Sequence, residues 1–86
     1  MKIEDEITSA LKARKIILGL NETMSALKSR SPKSVIVAKN IPESKRKDIE
    51  YNSKIFKVKL EIFEGTSKQL GVICGKPFPV SALAIM

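Results

Sequence analysis

The chain has no histidine, no tryptophan and a single cysteine, Cys74, in 86 residues. Without histidine it lacks the commonest general base and the commonest metal ligand, which argues against a hydrolase or a zinc site. One cysteine cannot close an internal disulfide, which fits a reducing compartment, and Cys74 reads as a small core residue. Aromatic residues are scarce, three Phe and one Tyr, so any core must be aliphatic. No apolar run approaches the ~18 residues of a membrane span. The acidic start, Lys2-Ile3-Glu4-Asp5-Glu6, is unlike a signal peptide. No glycine-rich phosphate loop, carboxylate pair or nucleophile–base pair stands out, and Gly65 and Gly75 read as lone turn or cap glycines. These absences predict a soluble cytoplasmic protein that is not an enzyme and needs no cofactor or metal.

What is present is an aliphatic core and positive charge. The chain is 43% hydrophobic with a mean hydropathy of -0.04, enough to bury the core of one small domain spanning 1–86. Sixteen Lys and Arg against nine Asp and Glu leave a net charge of +7. That balance favours a polyanionic partner, RNA or DNA ahead of an anionic membrane, over a merely basic soluble protein.

Ile3, Ile7, Ala10 and Leu11 fall on one face of a short first helix. Ile16-Ile17-Leu18 reads as a buried strand that stops at Gly19, and Asn21 is placed to cap a helix running through Met24, Ala26 and Leu27. Ser29 to Lys33, with Pro32, breaks the chain. Ser34 to Ala38 is a β-branched central strand stopped by Asn40-Ile41-Pro42. A helix from Glu43 to about Phe56 turns Ile49, Asn52 or Ser53, and Phe56 inward. Its start carries Lys45-Arg46-Lys47 at the positive end of the helix dipole, which suits either a solvated face or an outside anion. Lys57 to Ile62 alternates with period two, as an edge strand does. Thr66-Ser67-Lys68-Gln69 is a capping box opening a helix with Leu70, Val72 and Ile73, and Val80 to Ile85 is the last strand. The order α-β-α-β-α-β-α-β in short units predicts an α/β fold, a three-layer α/β/α sandwich around a small mixed four-stranded sheet. Loops 19–23, 39–43, 64–66 and 76–80 would then gather at one end of the sheet, where ligands of such sheets collect.

Three of those loops carry candidate binding groups. A strand-to-helix turn at Gly19 points backbone N–H groups at any nearby anion, and Asn21 and Glu22 add amide and carboxylate edges suited to bases. The same residues also serve a plain turn and cap. Lys39 and Asn40 offer a cation and an amide, or an ordinary turn. Lys76-Pro77-Phe78-Pro79-Val80 holds an aromatic between two stiff prolines, a candidate platform for an unpaired base or a plug for the end of the core.

Arg14 to Glu22, Ser34 to Asn40, Asp48 to Tyr51, Phe63 to Ser67 and Leu70 to Phe78 together resemble the kink-turn-binding ribosomal proteins of archaea and eukaryotes, over nearly the whole chain. Within that family the L30e branch is nearest, while the Asn21-Glu22 turn is similar to the sister L7Ae branch, which guides RNA modification. Position 25 is Ser25, where that branch carries lysine, and family members commonly run on past the last strand, whereas this sequence stops at Met86. The resemblance implies a large-subunit ribosomal protein that binds a kink-turn, a sharply bent internal loop with tandem sheared G·A pairs. It implies Gly19, Asn21 and Glu22 on base edges, Lys15 near the RNA backbone, Asn40 on a further base, and Phe78, Pro79 and Val80 against the flipped-out nucleotide. The expected partners are RNA and neighbouring ribosomal proteins, with no membrane and a monomer when free. Alternatives are a subunit of a guide-RNA particle and an adaptor for acidic proteins on the same fold.

Overall fold

A computed structural model describes residues 3–30 and 32–86; Met1, Lys2 and Ser31 lie outside the described residues. The elements are α1 (Ile3–Ala13), β1 (Ile16–Leu18), α2 (Leu20–Ser29), β2 (Ser34–Ala38), α3 (Glu43–Ile55), β3 (Lys59–Phe63), α4 (Ser67–Ile73) and β4 (Ala82–Ile85). Helix and strand alternate as the sequence pattern predicts.

The sheet order is β1-β4-β2-β3. Strand β4 runs antiparallel to both β1 and β2, while β2 and β3 are parallel, so the sheet is mixed. All five residues of β2 are buried. Successive side chains of a strand point to opposite faces, so burial of all five requires cover on both faces. Helices α2 and α3 pack together in one layer and α1 with α4 in the other. The large side chains sealed between the layers are Ile7, Leu27, Ile36, Ile49, Leu70 and Leu83. Each stabilises the fold by about 1.5–3 kcal/mol through removal from water.

Strand β1, expected to be buried, is only half-buried because it lies at an edge of the sheet. Strand β3 lies at the other edge, but it begins at Lys59 rather than Lys57. Lys57 takes a left-handed φ of 55°, and Val58 N–H donates to Ser53 O at 2.8 Å, closing the end of α3. The chain thus leaves the helix before Phe56 can complete the inner stripe. Ile49 and Ser53 face inward, whereas Phe56 is exposed and Asn52 uses its amide on Asp48 O. Val72 on α4 is likewise exposed. The Lys45-Arg46-Lys47 run is largely answered within its own helix: Arg46 pairs with Glu50 at 3.8 Å and Lys47 with Glu43 at 3.5 Å.

Candidate nucleic-acid interface

The strand directions bring the carboxyl ends of β1, β2 and β3 to the same end of the sheet as the amino end of β4. Backbone hydrogen bonds knit the loops there. Gly19 N–H donates to Ala82 O at 2.9 Å, Ala38 N–H to Ser81 O at 2.9 Å and Lys39 N–H to Gly65 O at 3.1 Å. Loops distant in sequence therefore form one platform.

At its centre the turn after β1 is tighter than the sequence pattern suggests. Helix α2 starts at Leu20 and its N-cap is Gly19, not Asn21. Gly19 has φ 111° and ψ 150°, a left-handed backbone that favours glycine. Its carbonyl accepts Thr23 N–H at 3.0 Å, so the first helical turn closes with Gly19 as the single residue between strand and helix. Asn21 is consequently the second residue of the helix, exposed, with no capping bond to make. Glu22 is exposed and folds back toward Gly19, where an added Cβ would meet its carboxylate. An amide and a carboxylate edge thus stand beside the helix N-terminus, among its unpaired N–H groups. Beneath them Thr23 is fully buried and its hydroxyl has no partner among the described residues.

Asn40 is exposed, and its side-chain Oδ1 accepts Ser67 N–H at 2.9 Å, tying the loop after β2 to the first turn of α4. That leaves the amide NH2 of Asn40 as the group available to a ligand. The start of α4 carries the expected capping box: Gln69 N–H donates to Thr66 Oγ1 at 3.3 Å and Thr66 N–H to Gln69 Oε1 at 2.9 Å. Phe78 remains 51% exposed over a hollow that it shares with Val72, Lys76, Pro77 and Pro79. Lys76 lines this hollow near Cys74, whose thiol pKa is raised by burial, an effect the Lys76 ammonium offsets only in part.

Gly19, Asn21, Glu22, Lys39, Asn40, Phe78 and Pro79 thus gather at one end, with Lys76 in the loop that leads to it. Two expected residues do not join them. Val80 is 1% exposed; its N–H donates to Ser67 O at 3.0 Å and its side chain enters the core, so it has no surface to offer a nucleotide. Lys15 precedes β1, and its carbonyl accepts Met86 N–H at the opposite end of the sheet. Four residues of extended chain, roughly 13 Å, separate it from Gly19. Charge at the platform is balanced: Lys39, Lys68 and Lys76 stand against Glu22, Glu43 and Glu64. Such a surface suits base edges and stacking more than bulk phosphate attraction.

Gly71 was not singled out by local sequence reasoning, yet it positions the Phe78 loop. It is buried in α4, and an added Cβ would collide with the Phe78 carbonyl oxygen and lie 3.3 Å from Pro79 Cα. The Gly71 carbonyl also accepts Lys76 N–H at 2.9 Å, holding the loop against the helix. Its local trace in the sequence is a glycine inside a helical pattern, which weakens a helix relative to alanine and so calls for a packing reason.

The family model for the ribosomal protein L7Ae/L30e/S12e/Gadd45 family matches residues 1–86. Large ribosomal subunit protein eL30 of Methanothermobacter thermautotrophicus is 44% identical over 85 residues, which cover 99% of this chain and 87% of that protein. The eL30 of Methanopyrus kandleri is 40% identical over 85 residues, covering 99% and 78%. That of Archaeoglobus fulgidus is 39% identical over 84 residues, covering 98% and 93%. A solved structure of a protein of unknown function from Bacillus halodurans C superposes with a TM-score of 0.84 at 16% identity, over 95% of this chain and 81% of that one, which shows the shared fold.

Proposed function

The chain belongs to the ribosomal protein L7Ae/L30e/S12e/Gadd45 family, and from that premise we propose that it is a large-subunit ribosomal protein that binds and stabilises a kink-turn in RNA. The relatives it matches are ribosomal proteins, structural rather than catalytic. The whole chain acts as one RNA-binding domain in the cytoplasmic ribosome, monomeric when free, with ribosomal RNA as its partner.

The observation that carries the reading is the convergence of three chemically different edges on one rigid platform. Asn21 and Glu22 beside the α2 N-terminus offer a donor–acceptor pair to sheared G·A bases, and the Asn40 amide adds a further donor. Phe78 and Pro79 give the flipped-out base a stacking surface, with Lys39 and Lys76 to contact phosphates. The action is architectural: the free energy of these contacts stabilises the bent RNA over its extended forms.

The test is a gel-shift titration against a short duplex containing a consensus kink-turn, beside the same duplex with its G·A pairs replaced by Watson–Crick pairs. The expected result is tight binding to the first and weak, salt-sensitive binding to the second. Equal binding to both would overturn the reading.

A further inference from the structure

The strongest positive charge on the molecule lies away from that platform. At the opposite end of the sheet three connections enter β1, β2 and β3, with the carboxyl end of β4 lying between the first two, as the pairing of Ile16 and Ser34 with Ile85, and of Ser34 with Lys59, requires. The connection into β1 carries Lys12, Arg14 and Lys15. That into β2 carries Lys28, Arg30 and Lys33. That into β3 carries Lys54, Lys57 and Lys59. All nine are exposed, and the segments 12–15, 28–33 and 54–59 contain no acidic residue. Among the described residues, only Lys59 has an ion-pair partner, Glu61 at 2.8 Å. Lys15, Lys33 and Lys59 line a groove of about 520 Å³ together with Ala10, Ile85 and Met86, and Glu6 is the one acidic side chain in its lining.

The backbone supplies a second, independent observation. Among the described residues, three helices end in a residue with positive φ, after α1, α3 and α4. After α4 that residue is Gly75, the type such a position favours, but after α1 and α3 it is Arg14 at 56° and Lys57 at 55°. Both side chains accept a strained backbone at the basic end, where glycine would sit more easily. Holding a cation there at the expense of conformation points to a ligand for the charge.

We propose that this basic end is a second RNA-binding surface, which grips the phosphate backbone of an RNA duplex other than the one whose bend the platform reads. The two surfaces face opposite ways along the strands, so a straight duplex crossing one runs clear of the other. The protein then bridges two RNA segments: the neutral platform recognises shape and the basic end holds any nearby duplex, as counterion release dictates. This goes beyond kink-turn recognition and stands apart from it.

The test uses a variant combining Arg14→Gly, Arg30→Gln, Lys33→Gln and Lys57→Gly, which removes four cations from all three connections while relieving both strained positions. Two readouts follow on parent and variant: affinity for a plain 16-base-pair RNA duplex as a function of salt, and capture of that labelled duplex by protein already bound to an immobilised kink-turn RNA. The variant is expected to melt at or above the parent temperature and to bind the kink-turn RNA within about threefold of it. Its affinity for the plain duplex is expected to fall at least tenfold, with the log–log salt slope shallower by about 3–4, and capture of the second duplex to be lost. The plain-duplex arm does not depend on kink-turn recognition, so failure of either reading is visible separately. A parent complex that captures no second duplex, or a variant that loses kink-turn and plain-duplex binding equally, would overturn the proposal.

Discussion

Gly71→Ala adds a single methyl group where α4 meets the Phe78 loop, and it tests whether that contact builds the platform. The new Cβ would collide with the Phe78 carbonyl oxygen and lie 3.2 Å from Phe78 C and 3.3 Å from Pro79 Cα. These are backbone atoms, which cannot rotate aside as a side chain would, so either the helix or the loop must move. Overpacking against such neighbours costs about 2–3 kcal/mol. Alanine within a helix recovers about 0.5–1 kcal/mol relative to glycine. The net loss is then about 1–2.5 kcal/mol, which for a domain of this size lowers the melting temperature by roughly 5–15 °C. Circular dichroism melts measure that loss, and a kink-turn titration below the melting range measures the function. Because the displaced loop carries Phe78 with it, affinity is expected to fall together with stability. The control is Gly75→Ala, which meets nothing within 4 Å but sits at φ 70°. It should cost about 1–2 kcal/mol through backbone strain alone and leave RNA affinity unchanged. A Gly71→Ala protein that melts at or above the parent temperature would show the helix gain unopposed, and the packing argument would be wrong.

The other predictions concern single side chains. Asn21→Ala and Phe78→Ala should each leave the melting curve nearly unchanged, since both residues are exposed and Asn21 caps nothing. For Phe78 the loss of a stacked base, about 1–3 kcal/mol, corresponds to roughly 5- to 150-fold in affinity for the kink-turn; ordinary affinity in both variants would remove these residues from the interface. Asn40→Ala should lose about 1 kcal/mol, because Ser67 N–H is left without its acceptor. Asn40→Asp keeps that acceptor, so it should hold stability while binding RNA more weakly, and a chemical-denaturation series separates the two effects. Thr23→Val should be neutral or stabilising by up to about 1 kcal/mol, because it replaces a fully buried hydroxyl that lacks a partner with a methyl of similar shape. A destabilisation beyond that size in urea titrations would mean that the hydroxyl is satisfied in solution.

Local pattern alone was enough for the order of the elements. The i, i+4 spacing of Ile3 and Ile7, the β-branched run Val35-Ile36-Val37 and the Thr66–Gln69 capping box each express a preference that involves only neighbouring residues. Composition likewise sets the positive charge and the aliphatic core before any contact forms. The family, too, was legible, because its motifs span nearly the whole chain. What required the tertiary structure was everything that depends on which elements become neighbours. The edge position of β1 leaves Ile16, Ile17 and Leu18 half-buried although they are as apolar as β2. Pairing of β1 with β4 anchors Gly19 to Ala82, and Gly19 takes the cap that a propensity argument assigns to Asn21. The bond from Ser67 to Asn40 crosses 27 residues, and the contact of Gly71 with Phe78 depends on how a loop returns over a helix. Strand direction also decided the separation of charge from shape. Lys15 and Gly19 are four places apart in a row of apolar residues, yet an extended strand carries them to opposite ends of the sheet. Propensities act over one or two turns of chain, whereas register and loop return are chosen by burial across the whole sheet, so a residue's surroundings follow from the packing and not from its neighbours in sequence.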